Sequence, residues 1–145
     1  LAPAVSLSVS GRAQTSFGDP LLTSEQFSLV GGQELSTFDS GALRGDSGWV
    51  LRSELSTRFQ TQVGDFPLVM SPYLFVAAGH ARLENPTAVE QASTDAFSYG
   101  IGMDIIRTTN SSYRSGTLRI EFGRGERDDA FPDENRFSIS GTYRF

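Results

Sequence analysis

Apolar and polar residues alternate along most of this chain with a period of two. At the C-terminus, Phe137, Ile139 and Tyr143 fall on one side, while Arg136 and Ser138 fall on the other. Successive side chains of a β-strand point to opposite faces, so this pattern predicts a strand with one apolar and one polar face. Turn residues separate seven segments of this kind. They span residues 4–14, 24–30, 48–59, 71–81, 96–106, 116–125 and 136–145.

These segments predict an all-β fold, an antiparallel up-and-down meander without helices that forms one domain over residues 1–145. Segment 71–81 differs from the others because it is apolar on both faces. The apolar faces of the other segments have two possible partners. They could form the core of a soluble sandwich or lipocalin-like barrel, or they could face lipid around a transmembrane β-barrel.

The polar faces favour the membrane barrel. They carry arginines and carboxylates interleaved with serine and glycine, and all 12 cations of the chain are arginine. Planar guanidinium groups pair well with carboxylates in a narrow barrel interior, and small residues suit a curved wall. We therefore predict a charge network in the lumen. Its members are Arg52, Glu54, Asp104, Arg119 and Glu121. The network could hold the lumen together, or it could line a path for a polypeptide or solute.

Aromatic residues lie towards the ends of the apolar faces, as in the interfacial girdles of outer-membrane barrels. They are Trp49, Phe59, Phe97, Tyr143 and Phe145. Segments of about ten residues also suit tilted membrane strands.

The connections are assigned to two sides of the membrane by their alternation along the meander. If the C-terminus lies in the periplasm, connections 17–24, 60–71 and 107–115 are periplasmic. Connections 31–47, 82–95 and 124–135 then face outside, and they are longer and more acidic on average. Short periplasmic turns and long external loops are typical of such barrels.

The composition excludes several alternatives. Hydrophobic residues make up 38% of the chain, and no stretch approaches the roughly 20 apolar residues of a membrane helix. The absence of cysteine excludes disulfides, and the net charge of −5 does not favour nucleic-acid binding. Because the chain begins at Leu1 without a signal-peptide pattern, we expect it to be processed or partial.

Other candidate sites are weak, and we expect no catalytic residue, metal or cofactor. His80 is the single histidine, so a Ser-His-Asp arrangement would depend on it. The acidic run from Glu126 to Glu134 lacks EF-hand spacing and suits an external loop. The glycines of segments 96–106 and 116–125 precede no helix, so they do not form a phosphate loop. They are more consistent with a curved wall.

One stretch resembles a known family. Ser24 to Phe27, Gly45 to Trp49 and Leu51 to Leu55 read S-E-Q-F, G-D-S-G-W and L-R-S-E-L. This pattern resembles the C-terminal barrel of two-partner secretion transporters, the haemolysin secretion/activation proteins of the Gram-negative outer membrane. The resemblance implies a porin-like barrel of about sixteen strands, periplasmic domains upstream and a secreted polypeptide partner. The terminal Tyr143 and Phe145 resemble the signal that the barrel-insertion machinery recognises.

The resemblance also implies that the long external loop acts as a plug. Its predicted residues are Gly31, Gly32, Phe38, Arg44, Gly45, Asp46 and Gly48. The family's loop carries V-R-G-Y at its tip, and its Arg is held by the Asp of an F-x-D wall motif. Here Phe38 retains the aromatic residue, but the preceding Arg is absent, and the wall reads Phe75-Val76-Ala77 without the Asp. Arg44 is a candidate replacement for the missing Arg.

Two functions follow as hypotheses. The first is a pore that translocates a polypeptide with residues 31–48 as plug. The second is a reduced, structural or anchoring barrel that has lost the lock and transports nothing. Seven strands is an odd number, whereas single-chain bacterial barrels have even numbers. The barrel would then be larger, gain an eighth strand from a loop, or close with a partner chain or as a dimer.

Overall fold

The computed structural model describes residues 4–30, 33–64, 66–107 and 115–144, and every regular element among them is a β-strand. The strands are β1 (Ala4–Gln14), β2 (Phe27–Ser28), β3 (Arg44–Gly45), β4 (Ser47–Val63), β5 (Phe66–Arg82), β6 (Ser93–Arg107), β7 (Ser115–Arg127) and β8 (Glu134–Arg144). No helix in this described part of the chain is long and apolar enough to cross a membrane.

Six strands form one antiparallel sheet in the order β1-β4-β5-β6-β7-β8, in which β1 and β8 are the edges. The predicted all-β antiparallel meander is therefore confirmed. Within this sheet, consecutive strands from β4 to β8 pair directly, and β1 pairs with β4 across a long connection. Residues 15–46, which make this connection and contain β2 and β3, are called the insert below.

The outer face of the sheet is apolar and exposed. One row of aligned residues crosses all six strands, and every member of the row is at least 47% exposed. The row consists of Leu7, Leu55, Leu74, Ile101, Phe122 and Phe137. A continuous exposed apolar surface of this size is typical of a face that meets another apolar phase.

The inner face of the sheet is charged, and the insert packs against it. Buried apolar side chains of the insert form the core together with small wall residues. The core residues are Phe27, Leu29, Val30, Leu35, Phe38, Leu43, Val50, Ala77, Ala81 and Ala96. This packing explains why segment 71–81 is apolar on both faces: Phe75 and Ala77 lie under the insert, while Leu74 and Val76 are exposed on the outer face.

The prediction of a full strand at residues 24–30 is wrong. Only Phe27–Ser28 is extended, and it pairs with Arg44–Gly45 inside the insert rather than with the sheet. The short alternation of this segment arises because Phe27 and Leu29 are buried in the core of the insert, and it ends at Val30, which is buried as well. The sheet therefore has six strands, and the predicted count of seven is corrected.

Two predicted connections are also corrected. Residues 17–24 belong to the insert, at the same end of the sheet as the β5–β6 and β7–β8 connections, because β1 ends and β4 begins there. They therefore do not lie on the side opposite to those connections. Residues 60–71 are mostly strand, because β4 and β5 continue to a tight turn in which Gly64 has a φ of +61°. A left-handed residue in such a turn favours glycine.

Candidate functional site

The apex of the insert, formed by Thr37 and Phe38, packs against glycines of the six-stranded sheet, which is called the wall below. A Cβ atom on Gly125 of β7 would lie 2.5 Å from the Phe38 ring and 2.5 Å from the Thr37 hydroxyl. A Cβ atom on Gly123 would lie 2.8 Å from the Thr37 methyl group. No real side chain tolerates such contacts, so these two positions must lack a Cβ for the apex to reach the wall.

The apex residues Thr37 and Phe38 are each 1% exposed. The Thr37 hydroxyl donates to Ser98 Oγ of β6 at 3.0 Å. Arg136 of β8 donates to the Phe38 carbonyl at 2.8 Å, and it also pairs with Asp39 at 2.8 Å. The apex is therefore bound to β6 and β8 by polar contacts as well as by apolar packing.

Arg52 of β4 is the central cation of the site, and its side chain is 2% exposed. It donates to the backbone carbonyls of Gln33 and Glu34 at 2.7 and 3.3 Å, and to Ser36 Oγ at 2.9 Å. Its guanidinium group lies 3.8 Å from the centre of the Phe75 ring, within the range of a cation–π contact. A wall arginine thus holds the insert mainly through backbone oxygens.

Glu121 of β7 is the main buried anion. Its Oε2 atom accepts hydrogen bonds from Arg52 Nη2 and from the Tyr73 hydroxyl, both at 2.7 Å. Its Oε1 atom accepts a hydrogen bond from Ser36 Oγ. Arg52 reaches from β4 to β7 across β5 and β6, where the residues aligned with Arg52 are the small Ala77 and Ser98.

The remaining members of the network surround this pair. Glu54 Oε1 accepts from Arg52 Nε at 2.7 Å and from Arg119 Nη2 at 2.6 Å. Arg119 also donates to the Tyr73 hydroxyl at 2.7 Å, and it lies 3.7 Å from Asp104. Buried charges are tolerated when they are paired and hydrogen-bonded in this way.

Asp46 ties the base of the insert to the β5–β6 connection. Its carboxylate is 2% exposed and accepts hydrogen bonds from Leu21 N at 2.9 Å, Gln26 Nε2 at 3.3 Å and Glu84 N at 2.8 Å. The Glu84 amide, followed by the amides of Leu21 and Gln26, outweighs the effect of burial and holds the pKa of Asp46 below its ordinary value of 3.8.

Glu34 makes a further contact between the insert and the wall. It pairs with Arg12 of β1 at 2.9 Å, and the Arg12 guanidinium also lies 5.3 Å from the centre of the Phe27 ring. Burial alone would raise the pKa of Glu34, but the hydrogen bond and charge of Arg12 outweigh it and lower the pKa.

The five residues of the predicted charge network are thus brought together on the inner face, although their role in the lumen stays a prediction. Of the predicted plug residues, Phe38 is at the apex and Asp46 is at the base. Gly45 and Gly48 lie close to the β5 backbone: their Cβ atoms would be 2.7 Å from Arg82 O and 2.6 Å from His80 O, respectively. Arg44 is exposed in β3, next to Gly41, so it does not occupy the buried position of a lock residue.

Some predicted site residues lie outside the described part of the chain, and others lie away from the charge network. Gly31, Gly32 and Phe145 lie outside the described residues. Tyr143 is on the outer face of β8 and is 57% exposed. Ala77, at the position of the Asp in the wall motif, faces the core of the insert and aligns with Arg52 on β4.

Sequence reasoning missed Tyr73 and Ser36 as members of the site. Tyr73 lies in the segment that is apolar on both faces, where a hydroxyl group suggests little about its partners. Ser36 stands two residues before Phe38, at the position where the loop motif would have its Arg. That spacing was the one signal that could have identified it.

The other candidate residues have structural partners. His80 pairs with Asp95 at 2.8 Å on the exposed side, and the Asp95 amide donates to Asp128. In the acidic run, Asp133 pairs with Arg124, and Asp129 pairs with Arg127. Within the described ranges, no group of three or more histidines or carboxylates is placed to hold a metal ion.

An open antiparallel sheet with an apolar outer face, a charged inner face and a long insert folded onto that inner face is consistent with part of the wall of an outer-membrane β-barrel. A family model described as haemolysin secretion/activation protein ShlB/FhaC/HecB matches residues 2–105 of the 145-residue chain. The chain belongs to this family, which is one of secretion proteins rather than enzymes. Two-partner secretion implies a secreted polypeptide partner. Searches of curated proteins and of solved structures each gave no match.

Proposed function

We propose that this chain forms part of the wall of an outer-membrane pore through which a polypeptide partner passes, with the insert as its plug. The family supports the general role in secretion. The observation that carries the proposal is the position of the insert. Its apex covers the charged inner face between β4 and β7, where a hydrated path would otherwise run. The insert is attached to the wall at its apex, and at its base to Arg82 of β5 and to Glu84 of the β5–β6 connection.

The outer face supports lipid as the surrounding phase. Its apolar row crosses all six strands, and lipid hydrocarbon is the phase that would cover so large an exposed apolar surface in an outer-membrane protein. On this proposal, residues 1–145 form one barrel domain in a Gram-negative outer membrane, with further strands or a partner chain beside β1 and β8. An unpaired edge in lipid is costly, since each unsatisfied backbone group costs several kcal/mol.

The C-terminal residues support a role in membrane insertion. Tyr143 is an exposed aromatic residue near the end of β8, which is an edge strand of the sheet. With Phe145 it would be read by the barrel-insertion machinery.

A disulfide that can be opened and closed gives a direct test. The chain has no cysteine, and the Thr37 and Ser98 hydroxyl oxygens are 3.0 Å apart. The Thr37→Cys/Ser98→Cys protein is refolded into planar lipid bilayers, oxidised and then reduced, and its conductance is measured in both states. We expect larger or more frequent open steps after reduction, because the apex can then leave the wall. The two single-cysteine variants are the controls, and reduction should leave their conductance unchanged.

A non-transporting barrel is the second candidate, and the packing of the insert favours it. Leu29 and Leu35 are fully buried, and Phe38 is 1% exposed, as in a permanently filled interior. A protein that inserts into the bilayer but conducts nothing in either redox state would support this structural or anchoring role and contradict the pore.

A further inference from the structure

The apex of the insert contacts the wall at an ion pair that has only one of its two possible direct hydrogen bonds. Arg52 and Glu121 share one direct hydrogen bond, from Nη2 to Oε2 at 2.7 Å. Two groups of an arginine–carboxylate pair can form two parallel hydrogen bonds when nothing lies between them. Here the second position is occupied by Ser36.

Ser36 Oγ bridges the two charged side chains. It accepts a hydrogen bond from Arg52 Nη1 at 2.9 Å and donates one to Glu121 Oε1. Guanidinium, hydroxyl and carboxylate therefore form a closed ring of hydrogen bonds. One member of the ring comes from the insert, and the other two belong to the wall.

We propose that Ser36 allows the apex to leave the wall. Its hydroxyl group bridges Arg52 and Glu121 while the apex is docked, and these two side chains form a pair with two direct hydrogen bonds when the apex withdraws. This inference rests on the proposed function, in which the insert leaves the inner face. Both charges stay on the wall during that movement, so neither is stranded. A cation carried by the insert would instead leave an unpaired buried carboxylate behind, which is strongly unfavourable.

The neighbouring contacts support this arrangement. Glu121 keeps its hydrogen bond from the Tyr73 hydroxyl, and Arg52 keeps Glu54, since both partners belong to the wall. The other acceptors that Arg52 loses are the backbone carbonyls of Gln33 and Glu34, which water can hydrate after withdrawal. Withdrawal of the insert therefore keeps the pairs of Arg52 with Glu121 and Glu54, whereas it breaks the ion pairs of Arg12 with Glu34 and of Arg136 with Asp39.

Withdrawal can be measured by the labelling of a single cysteine. Thr37→Cys serves as the reporter, since the native side chain is 1% exposed and the chain has no other cysteine. A water-soluble maleimide reacts with it when the apex leaves the wall. Ser36→Ala is compared with Ser40→Ala, which changes an exposed serine of the same insert. Both are made in the reporter background and refolded into lipid vesicles.

We expect Ser36→Ala to raise the labelling rate about tenfold, since it removes two hydrogen bonds to charged groups while the wall pair recovers part of the loss. Ser40→Ala should leave the rate unchanged. An equal rate for the two variants would overturn the proposal. The labelling does not depend on transport, so a protein that never conducts can still show the effect of Ser36, and one that conducts can lack it.

A mutant cycle tests the closure of the wall pair itself. Arg52→Gln, Glu121→Gln and the double variant are compared by urea unfolding, once with Ser36 and once with Ser36→Ala. The proposal expects the coupling between Arg52 and Glu121 to be at least as large without Ser36, because the pair then gains its second hydrogen bond. A coupling that falls in the Ser36→Ala background would overturn it. If one of these variants does not refold, the labelling comparison still decides.

Discussion

Asp46 offers the sharpest test of how the base of the insert is held. Its buried carboxylate accepts hydrogen bonds from the amides of Leu21 and Glu84 and from the side chain of Gln26. A hydrogen bond to a charged group contributes about 1.5–3 kcal/mol, and a buried donor left without an acceptor costs about 1–3 kcal/mol. Asp46→Ala removes the acceptor from two backbone donors and from a longer third bond. The expected loss is about 3–5 kcal/mol in the free energy of unfolding.

Asp39→Ala is the matched control in the same insert. The Asp39 side chain is 82% exposed and pairs with Arg136, so its loss should cost at most about 1 kcal/mol. Urea unfolding of the refolded proteins, followed by the fluorescence of Trp49, measures both values. The reasoning is refuted if Asp46→Ala shifts the unfolding midpoint no further than Asp39→Ala.

The lowered pKa of Asp46 adds a dependence on pH. A carboxyl group whose pKa is lower in the folded state contributes stability above its unfolded pKa and loses it as pH falls through the folded pKa. The contribution of Asp46 should therefore be complete well above its ordinary pKa of 3.8 and should disappear below that value. The difference in stability between wild type and Asp46→Ala, measured as pH is lowered, should shrink in this window. A constant difference would contradict the assignment.

Two further substitutions test the packing of the apex against the wall and the apolar character of the outer face. Gly125→Ala should displace the apex, because the new Cβ atom would lie 2.5 Å from Phe38. In the Thr37→Cys background, this displacement should raise the rate of maleimide labelling. Gly141→Ala is the control, since its Cβ atom would make ordinary contacts at 3.5 and 3.6 Å. Leu74→Arg should reduce the yield of refolding into vesicles, because arginine on a lipid face costs about 2–4 kcal/mol at mid-membrane. Val89→Arg, at a 94% exposed position of the β5–β6 connection, should leave that yield unchanged.

The sheet could be predicted from the sequence because its strands have one face in each environment. In β7, for example, Leu118, Ile120 and Phe122 alternate with Arg119 and Glu121, and this pattern defines both the strand and its two faces. The charge network followed from the same alternation. No tertiary information was needed to place these residues on one face.

The insert could not be predicted in the same way. Phe27 and Leu29 alternate with polar residues as in a strand, but they are buried by packing on the wall rather than by pairing in the sheet. Likewise, Tyr73 and Phe75 could not be assigned to an inner face while the segment that covers them was unknown. Both errors have one cause, because local alternation does not show which distant segment lies on a face.

The glycines of β6 and β7 couple the spacing of these two strands to the depth at which the apex of the insert packs against them. A Cβ atom on Gly100 would clash with the β7 backbone at Phe122 and Gly123, so this position governs how closely two wall strands approach. Gly123 and Gly125, on the neighbouring strand, govern how deeply the apex sits. A change in the curvature of this part of the wall therefore also changes the depth of the seat beneath the insert. Variants of this chain with a wider wall would need a compensating change in residues 36–38 to remain closed.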